Sequence, residues 1–168
     1  STTSQLVFLA AAHSATDDAR YSAAFLRGLN YLLDAQYPNG GWPQVYPLQG
    51  GYHDAITFND DAMAHVSILL DDVARDPAYR FVPGQLRRRS AAAVDAALKV
   101  ILAAQVRQGG RLTGWPQQVD PLTLEPISAR NYEPRSIASA ETGDVLIFLM
   151  RQGRQTPEVR AAVEAAGR

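Results

Sequence analysis

Acidic and amide side chains cluster at Asn59-Asp60-Asp61, directly before a stretch with helical periodicity. Calcium and other hard cations prefer clustered carboxylate and amide oxygens, so Asp60 and Asp61 are candidate metal ligands. The alternative is structural. Asn59 would cap the helix that follows, and the two aspartates would interact favourably with the positive end of its dipole. The residue types alone leave both interpretations open.

A second candidate segment, residues 111–135, gathers tryptophan, arginine, amide and carboxylate side chains on a stretch without helical periodicity. Such a loop suits a saccharide cleft, because an indole can stack on a sugar ring and a guanidinium forks onto a carboxylate. Trp115 and Arg130 are the side chains that would make these two contacts.

Each of these side chains also has a structural interpretation. Trp42 and Trp115 follow the two glycine-rich corners of the sequence and could anchor each corner by packing on the preceding helix. Arg130 and Glu133 could form an ion pair that fixes their loop. Asp120 precedes a proline and could serve only to form a turn. The sequence leaves these alternatives open.

Both candidate segments follow a motif that occurs twice. Residues 35–44 read Ala-Gln-Tyr-Pro-Asn-Gly-Gly-Trp-Pro-Gln, and residues 104–117 repeat the Ala-Gln, Gly-Gly and Trp-Pro-Gln parts. Each copy comes after an apolar, helix-like run and before an irregular loop. A repeated helix, glycine corner and loop is typical of stacked units that bury their cores against one another.

Helical spacing of apolar residues extends along most of the chain, and glycine and proline interrupt it at the corners. The expected helices are 5–12, 17–35, 59–75, 90–105, 138–151 and 158–166. This order predicts an all-α fold of helical-hairpin repeats, of the kind that closes into a ring or stacks as a solenoid. Two repeats and a fraction do not close a ring, so we expect an incomplete segment of one.

Length and composition narrow the function classes. The chain has 168 residues, enough for one domain, and 46% of them are hydrophobic. The net charge of −1 argues against duplex DNA as a partner. The chain has no cysteine, so it has neither disulfides nor thiolate metal sites. None of its apolar runs reaches the roughly 18 residues that a membrane-spanning helix needs.

Four motifs, taken in order, resemble those of the family 10 polysaccharide lyases, which are pectate lyases built as an (α/α) toroid. They are Asn-Gly-Gly-Trp-Pro-Gln, Ile-Thr-Phe-Asn-Asp-Asp-Ala-Met, Gly-Trp-Pro-Gln-Gln-Val-Asp and Ala-Arg-Asn-Tyr-Glu, at residues 39–44, 56–63, 114–120 and 129–133. The resemblance extends over residues 1–155. It implies that residues 1–168 are a segment of a toroidal catalytic domain.

The resemblance also implies an activity, namely calcium-dependent β-elimination on α-1,4-polygalacturonate that releases unsaturated oligogalacturonides. It implies Ca²⁺ as the cofactor, with Asp60 or Asp61 as its ligand, and Arg130 as the catalytic base. Residues expected to line the substrate cleft are Trp42, Gln44, Tyr46, Trp115, Gln117, Asp120 and Tyr132. The same resemblance implies a secreted monomer whose partner is pectate, with neither nucleic acid nor membrane as a partner.

The sequence departs from the family pattern at two positions of the second corner, where the family more often has cysteine in place of Pro116 and histidine in place of Val119. An Asp-Asn-Gly motif that the family carries ahead of its first helix is expected just before Ser1. Arginine is also an unusual base, since its free pKa exceeds 12. Arg130 therefore takes that role from the resemblance alone.

Other functions compete with the lyase. In a non-catalytic module for acidic polysaccharides, Arg130 would clamp a carboxylate. In a glycoside hydrolase, two of Asp60, Asp61, Asp120 and Glu133 would act as acid and base. The corner motif also fits the Gln-Trp repeat of triterpene cyclases, but aromatic residues make up only 8% of the chain, too few for an aromatic-lined cavity.

Overall fold

A computed structural model describes residues 1–60 and 62–167, and helices dominate this part of the chain. The helices are α1 (Thr2–Thr16), α2 (Ala19–Asp34), α3 (Met63–Arg75), α4 (Gly84–Ala103), α5 (Ser139–Arg151) and α6 (Pro157–Ala166). The short strands are β1 (Ile56–Thr57), β2 (Arg107–Gln108), β3 (Arg111–Leu112) and β4 (Gln118–Val119). Within the described ranges no helix is long and apolar enough to cross a membrane.

The helices pair as hairpins, α1 with α2, α3 with α4 and α5 with α6. Neighbouring hairpins pack side by side, so that α1, α3 and α5 form one row and α2, α4 and α6 form a second row. The apolar core lies between the two rows and is built mainly from valine, leucine and alanine side chains. This is the all-α, toroid-like arrangement of helical-hairpin repeats that the sequence predicts, and the prediction is confirmed.

Most predicted helix limits agree with the structure to within a few residues, but two do not. Helix α4 begins at Gly84, six positions before the expected start at 90, because the arginine-rich residues 84–89 give no apolar periodicity. Arg87 instead joins α4 to the end of α3 by donating hydrogen bonds to the carbonyls of Val73 and Ala74, at 3.1 and 3.0 Å.

The start of α3 differs for another reason. Asn59 is not the helix cap, because α3 begins at Met63 and Ala62 occupies the cap position without a side-chain hydrogen bond. Asp60 adopts a left-handed backbone with φ of 52°, which separates Asn59 from the helix. The Asn59 side chain is 7% exposed and points into the protein instead. The expectation of a capping asparagine was wrong.

Each glycine corner is fixed by its tryptophan. The Trp42 indole is 2% exposed and its Nε1 donates to the carbonyl of Leu32 in α2, at 2.8 Å. The Trp115 indole is fully buried and its Nε1 donates to the carbonyl of Ile101 in α4, at 2.7 Å. A buried indole N–H needs such a partner, and each of these bonds anchors its corner to the helix that precedes it.

A glutamine at each corner reaches forward to the next hairpin. Gln36 Nε2 donates to the carbonyl of Ala93 in α4, at 2.9 Å. Gln105 Nε2 donates in the same way to Ala162 in α6, at 2.9 Å. The repeated Ala-Gln of the sequence therefore joins successive hairpins, a role that the sequence motif alone did not reveal.

Gly40 allows the first corner to approach α4 closely. Its φ is +106°, and a Cβ built there would lie 2.5 Å from the carbonyl carbon and oxygen of Ala96. Both features require glycine, because other residues rarely adopt this backbone and the space is filled by main chain.

Candidate active site

The two loops that follow the corners are joined by a short antiparallel pairing of β1 with β4. Ile56 pairs with Val119, and Thr57 pairs with Gln118. The fully buried Gln118 side chain strengthens the junction, since its Nε2 donates to Thr57 Oγ1 at 2.7 Å. Residues from two different repeats are thereby held next to each other at one end of the helical framework.

After β1, the backbone is hydrogen-bonded to the second corner. The backbone N–H groups of Phe58 and Asn59 both donate to the carbonyl of Gln117, at 2.8 and 3.2 Å. The next residue, Asp60, takes the left-handed conformation and projects its carboxylate, 42% exposed, out of this junction. A positive φ at a non-glycine residue is uncommon, and such residues cluster at functional sites.

The Asp60 carboxylate contacts both loops. Its Oδ2 accepts hydrogen bonds from Gln44 Nε2, in the first loop, and from Arg130 Nη2, in the second loop. The predicted metal ligand and the predicted base, which are 70 positions apart in the sequence, thus form an ion pair. Asp61, which follows Asp60 and is the other predicted metal ligand, lies outside the described residues.

A buried glutamate holds Arg130 from the other side. Glu133 is 7% exposed, and its Oε1 accepts from Arg130 Nη1 at 3.1 Å while its Oε2 accepts from the Arg130 backbone N–H at 3.1 Å. Asn59 Nδ2 lies 3.4 Å from the same Oε1. The predicted ion pair of Arg130 with Glu133 is therefore present, and it also connects the two loops through Asn59.

These contacts fix the charge of Arg130. The hydrogen bond that Arg130 donates to Asp60 is the main cause that raises the pKa of Arg130 above its usual value, and the negative charges of Asp60 and Glu133 add to it. The guanidinium therefore stays protonated in this arrangement. Such a group binds carboxylates well, and it can accept a proton only after it has lost one of its own, which the pairing with Asp60 opposes.

Amide oxygens without a hydrogen-bond partner occur on Gln44, which contacts Asp60, and on two residues of the adjoining junction. The buried amide oxygens of Gln44, Asn59 and Gln117 have no hydrogen-bond partner among the described residues. Amide and carboxylate oxygens are the ligands that Ca²⁺ takes, together with water. Residues 1–60 and 62–167 hold no group of three or more His, Cys, Asp or Glu side chains suited to a metal. A cation here would therefore need ligands besides the protein carboxylates described.

A cavity of about 190 Å³ opens beside Asp60. Its walls include Gln44 and Tyr46 from the first loop and Tyr31 from α2. The rings of Tyr31 and Tyr46 meet edge to face with their centroids 5.7 Å apart, and Tyr31 Oη donates to the Tyr46 carbonyl at 2.6 Å. Of the residues expected to line a cleft, Trp42, Gln44 and Tyr46 lie here.

The other predicted cleft residues do not line this cavity. Trp42 and Trp115 are buried and their indoles anchor the corners, as the structural interpretation has it, although Trp42 also borders the cavity. Asp120 forms a turn, in which the backbone N–H groups of Thr123 and Leu122 donate to its carboxylate and hold its pKa below the usual value. Tyr132 is 76% exposed on the turn after Arg130.

Comparisons with known proteins agree with this arrangement. A family model described as pectic acid lyase matches residues 1–168. The fold is similar to a family 10 polysaccharide lyase from Cellvibrio cellulosa, with a TM-score of 0.94 and 39% sequence identity over 98% of this chain. A mutant of that lyase in complex with trigalacturonic acid matches equally well. The chain spans about half, 52%, of the length of these structures. Among curated proteins, none matches significantly.

Proposed function

This chain belongs to the pectic acid lyase family, and from that premise we propose that residues 1–168 are a segment of the catalytic domain of a calcium-dependent pectate lyase. The substrate would be α-1,4-polygalacturonate and the products unsaturated oligogalacturonides. The observation that supports the proposal most is the contact of Asp60 with Arg130, because it brings the family's metal-binding and basic motifs to one point. A secreted, monomeric protein is part of the same proposal.

The reaction removes the proton on C5 of a galacturonate ring, which is activated by the adjacent carboxylate. Electrons of the C5–H bond form the C4=C5 double bond, the C4–O4 bond breaks, and O4 leaves with a proton. The developing enolate is strongly basic, so it needs positive charge close to the carboxylate. Calcium, when bound by Asp60 and neighbouring amide oxygens, supplies that charge.

Arg130 supplies the second cationic group and, in this proposal, the base. Its Nη2 faces the open side of the site and bonds to Asp60, whereas its Nη1 is held by Glu133. Nη2 is therefore the nitrogen that would accept the C5 proton. It can do so only from the neutral guanidine, after Arg130 has lost a proton to solvent and its pairing with Asp60, which raises the pKa of the guanidinium, is broken. Glu133 keeps the side chain oriented while this contact changes.

The substrate contacts follow from the same geometry. Gln44 and Tyr46 line the cavity beside Asp60, and Gln117 lies where the two loops join, so we propose them as groups that bind the uronate chain. Exposed Tyr132 would extend the surface beyond Arg130. The complex of the Cellvibrio lyase mutant with trigalacturonic acid supports a galacturonate ligand.

One assay tests the proposal. The chain is incubated with polygalacturonate, first with calcium and then with a chelator, and ultraviolet absorbance is recorded together with reducing sugar. We expect absorbing, unsaturated ends that disappear with the chelator. Reducing ends without absorbance would instead indicate a hydrolase, and binding without product would indicate a binding module.

The role of Arg130 has its own test. Arg130→Ala should lower kcat by a factor of about 10² or more, as loss of an acid–base group does, with a much smaller effect on substrate binding. Arg88→Ala is the matched control, because Arg88 is an exposed arginine on α4. Equal losses in kcat and in affinity would show that Arg130 only binds substrate.

A further inference from the structure

The hairpin of β2 and β3 directly follows the second corner and carries two exposed arginines. Gly109 and Gly110 form its two-residue loop with φ of 57° and 79°, the conformation of a tight type I′ turn. Arg107 and Arg111 stand on its two strands. Arg107 pairs with Leu112 and Arg111 pairs with Gln108, so the two arginines project from opposite faces of the hairpin.

Two cavities lie beside this hairpin. One, of about 760 Å³, is lined by Arg107 and Arg111 and extends to the end of α6. The other, of about 440 Å³, is lined by Arg107 and Arg135. Both are also lined by Gln108 and Ile137, so we treat them as one surface, the arginine groove. Within the described part of the chain, its walls contain neither aspartate nor glutamate.

The three arginines of the groove form no ion pair with the described residues, in contrast to five arginines elsewhere in the chain. The guanidinium groups of Arg20, Arg75, Arg89, Arg130 and Arg151 pair with carboxylates. Arg107 and Arg111 form neither ion pairs nor side-chain hydrogen bonds with the described residues, and Arg135 donates only to the carbonyl of Pro126, at 2.6 Å. In a chain of net charge −1, three uncompensated arginines in one groove create a local positive potential.

The groove is connected to the candidate active site through the second corner. Ile137 forms a β-bridge with Pro116, and Pro126 forms one with Val119. The carbonyl of Gln117, between these positions, accepts the hydrogen bonds that place Asp60. The groove and the Asp60 carboxylate therefore flank the same short segment, residues 116–119. A long, flexible polymer bound at Asp60 and Arg130 can continue to the arginine groove.

We propose that the arginine groove is a second binding site for the same acidic polysaccharide, in which Arg107, Arg111 and Arg135 bind carboxylates of uronate units remote from the bond that is cleaved. A guanidinium matches a carboxylate by two parallel hydrogen bonds, and Ile137 offers an apolar surface to the sugar ring. The identity of this ligand rests on the proposed function. The groove increases affinity for long chains and does not take part in the elimination.

The test is affinity electrophoresis in gels that contain polygalacturonate, compared with gels that contain a neutral polysaccharide. The variant is Arg107→Ala/Arg111→Ala. The matched control is Arg27→Ala/Arg88→Ala, which removes the same charge from exposed positions on α2 and α4. We expect the dissociation constant for polygalacturonate to rise about tenfold in the variant, the combined effect of two exposed ion pairs. The control should bind as the unchanged chain does.

Two further measurements complete the test. Arg107→Lys/Arg111→Lys keeps the charge but loses the two parallel hydrogen bonds of a guanidinium. Compared with the alanine variant, it should therefore restore binding of polygalacturonate only in part and with a stronger dependence on salt. The loss of affinity in the alanine variant should become smaller as the galacturonate oligomer is shortened to a trimer, since the groove adds affinity only for chains long enough to contact both sites.

The outcomes separate this proposal from the proposed function. Unchanged binding of polygalacturonate by the alanine variant, or equal weakening in the control, overturns the second site and leaves the lyase proposal intact. Weakened binding specific to the variant supports the site even if no unsaturated product forms, which would overturn only the lyase activity. A chain that neither binds polygalacturonate nor cleaves it overturns both.

Discussion

Replacing Glu133 by glutamine tests whether the loop of Arg130 is held as described. The carboxylate accepts three hydrogen bonds, from the Arg130 backbone N–H, from Arg130 Nη1 and from Asn59 Nδ2. Every one of these partners is a donor. A glutamine amide therefore places an NH₂ group against at least one donor, whichever way the amide is oriented.

The expected loss of stability in Glu133→Gln follows from these three hydrogen bonds. With the amide oxygen at the position of Oε1, the NH₂ group faces the Arg130 backbone N–H, and one hydrogen bond at a nearly buried position becomes a donor–donor conflict. Such a loss costs about 1–3 kcal/mol. The lost ion pair adds about 0–1 kcal/mol, because the Arg130 side chain is 31% exposed and screened by water. The two ranges add to about 1–4 kcal/mol, and we expect the free energy of unfolding to fall by about 2–3 kcal/mol, the middle of that range.

Urea unfolding and thermal melting measure this change. For a domain of this size, a loss of about 2–3 kcal/mol corresponds to a decrease in Tm of about 5–10 °C. Glu125→Gln is the matched control, because Glu125 lies on the same loop with an exposed side chain, and its unfolding free energy should change by less than about 0.5 kcal/mol. In the elimination assay, Glu133→Gln should lower kcat more than it raises KM, since Arg130 is then less well oriented.

Two results would refute the reasoning. If Glu133→Gln is as stable as Glu125→Gln, the buried carboxylate does not hold the loop. If it is destabilised but keeps its kcat, then Glu133 supports the loop without positioning Arg130.

Two other substitutions follow from the structure. Gly40→Ala should destabilise the protein by about 3 kcal/mol or more, because the new methyl group meets the backbone of Ala96. Gly109→Ala is the control, since Gly109 also has a positive φ but open space around it, and it should cost only about 1–2 kcal/mol in urea unfolding. Equal losses of stability in the two variants would contradict the close approach of Gly40 to Ala96. The Asp120 carboxylate has a lowered pKa in the folded state, so its stabilisation is present above the unfolded value of about 3.9 and is lost as the pH falls through the folded value. Asp120→Asn keeps a side-chain oxygen as acceptor but removes the titrating carboxyl group, so Tm should depend less on pH below about 5. An unchanged pH dependence of Tm in melts from pH 7 down to 2 would contradict this.

The sequence was sufficient to predict the framework, because apolar periodicity and glycine corners are local signals. The limits of α2, α5 and α6 agree with the expected ranges to within two residues. Helix α4 is the instructive exception, since its first turn is held by Arg87 bonding to α3. A contact between two helices leaves no periodic pattern in either of them.

The contacts of the candidate site could not be predicted from the sequence. The motifs single out Asp60 and Arg130, yet only the pairing of β1 with β4 explains how these two residues meet. For the tryptophans the sequence left the role itself open, because an aromatic residue in a loop can either line a sugar cleft or anchor the loop in the core. The indole N–H of Trp115 resolves the choice by bonding to a helix carbonyl, which composition cannot reveal.

The forward-reaching glutamines restrict how far the chain can be shortened. The acceptor of Gln105 lies on α6, while Gln105 itself begins the corner that leads to the arginine groove and to Arg130. A truncation that removes α6 would take away this acceptor and leave Gln105 Nε2 only its hydrogen bond to the carbonyl of Thr113, at 2.7 Å. Helix α6 is thus part of the unit that holds the start of the second loop in place.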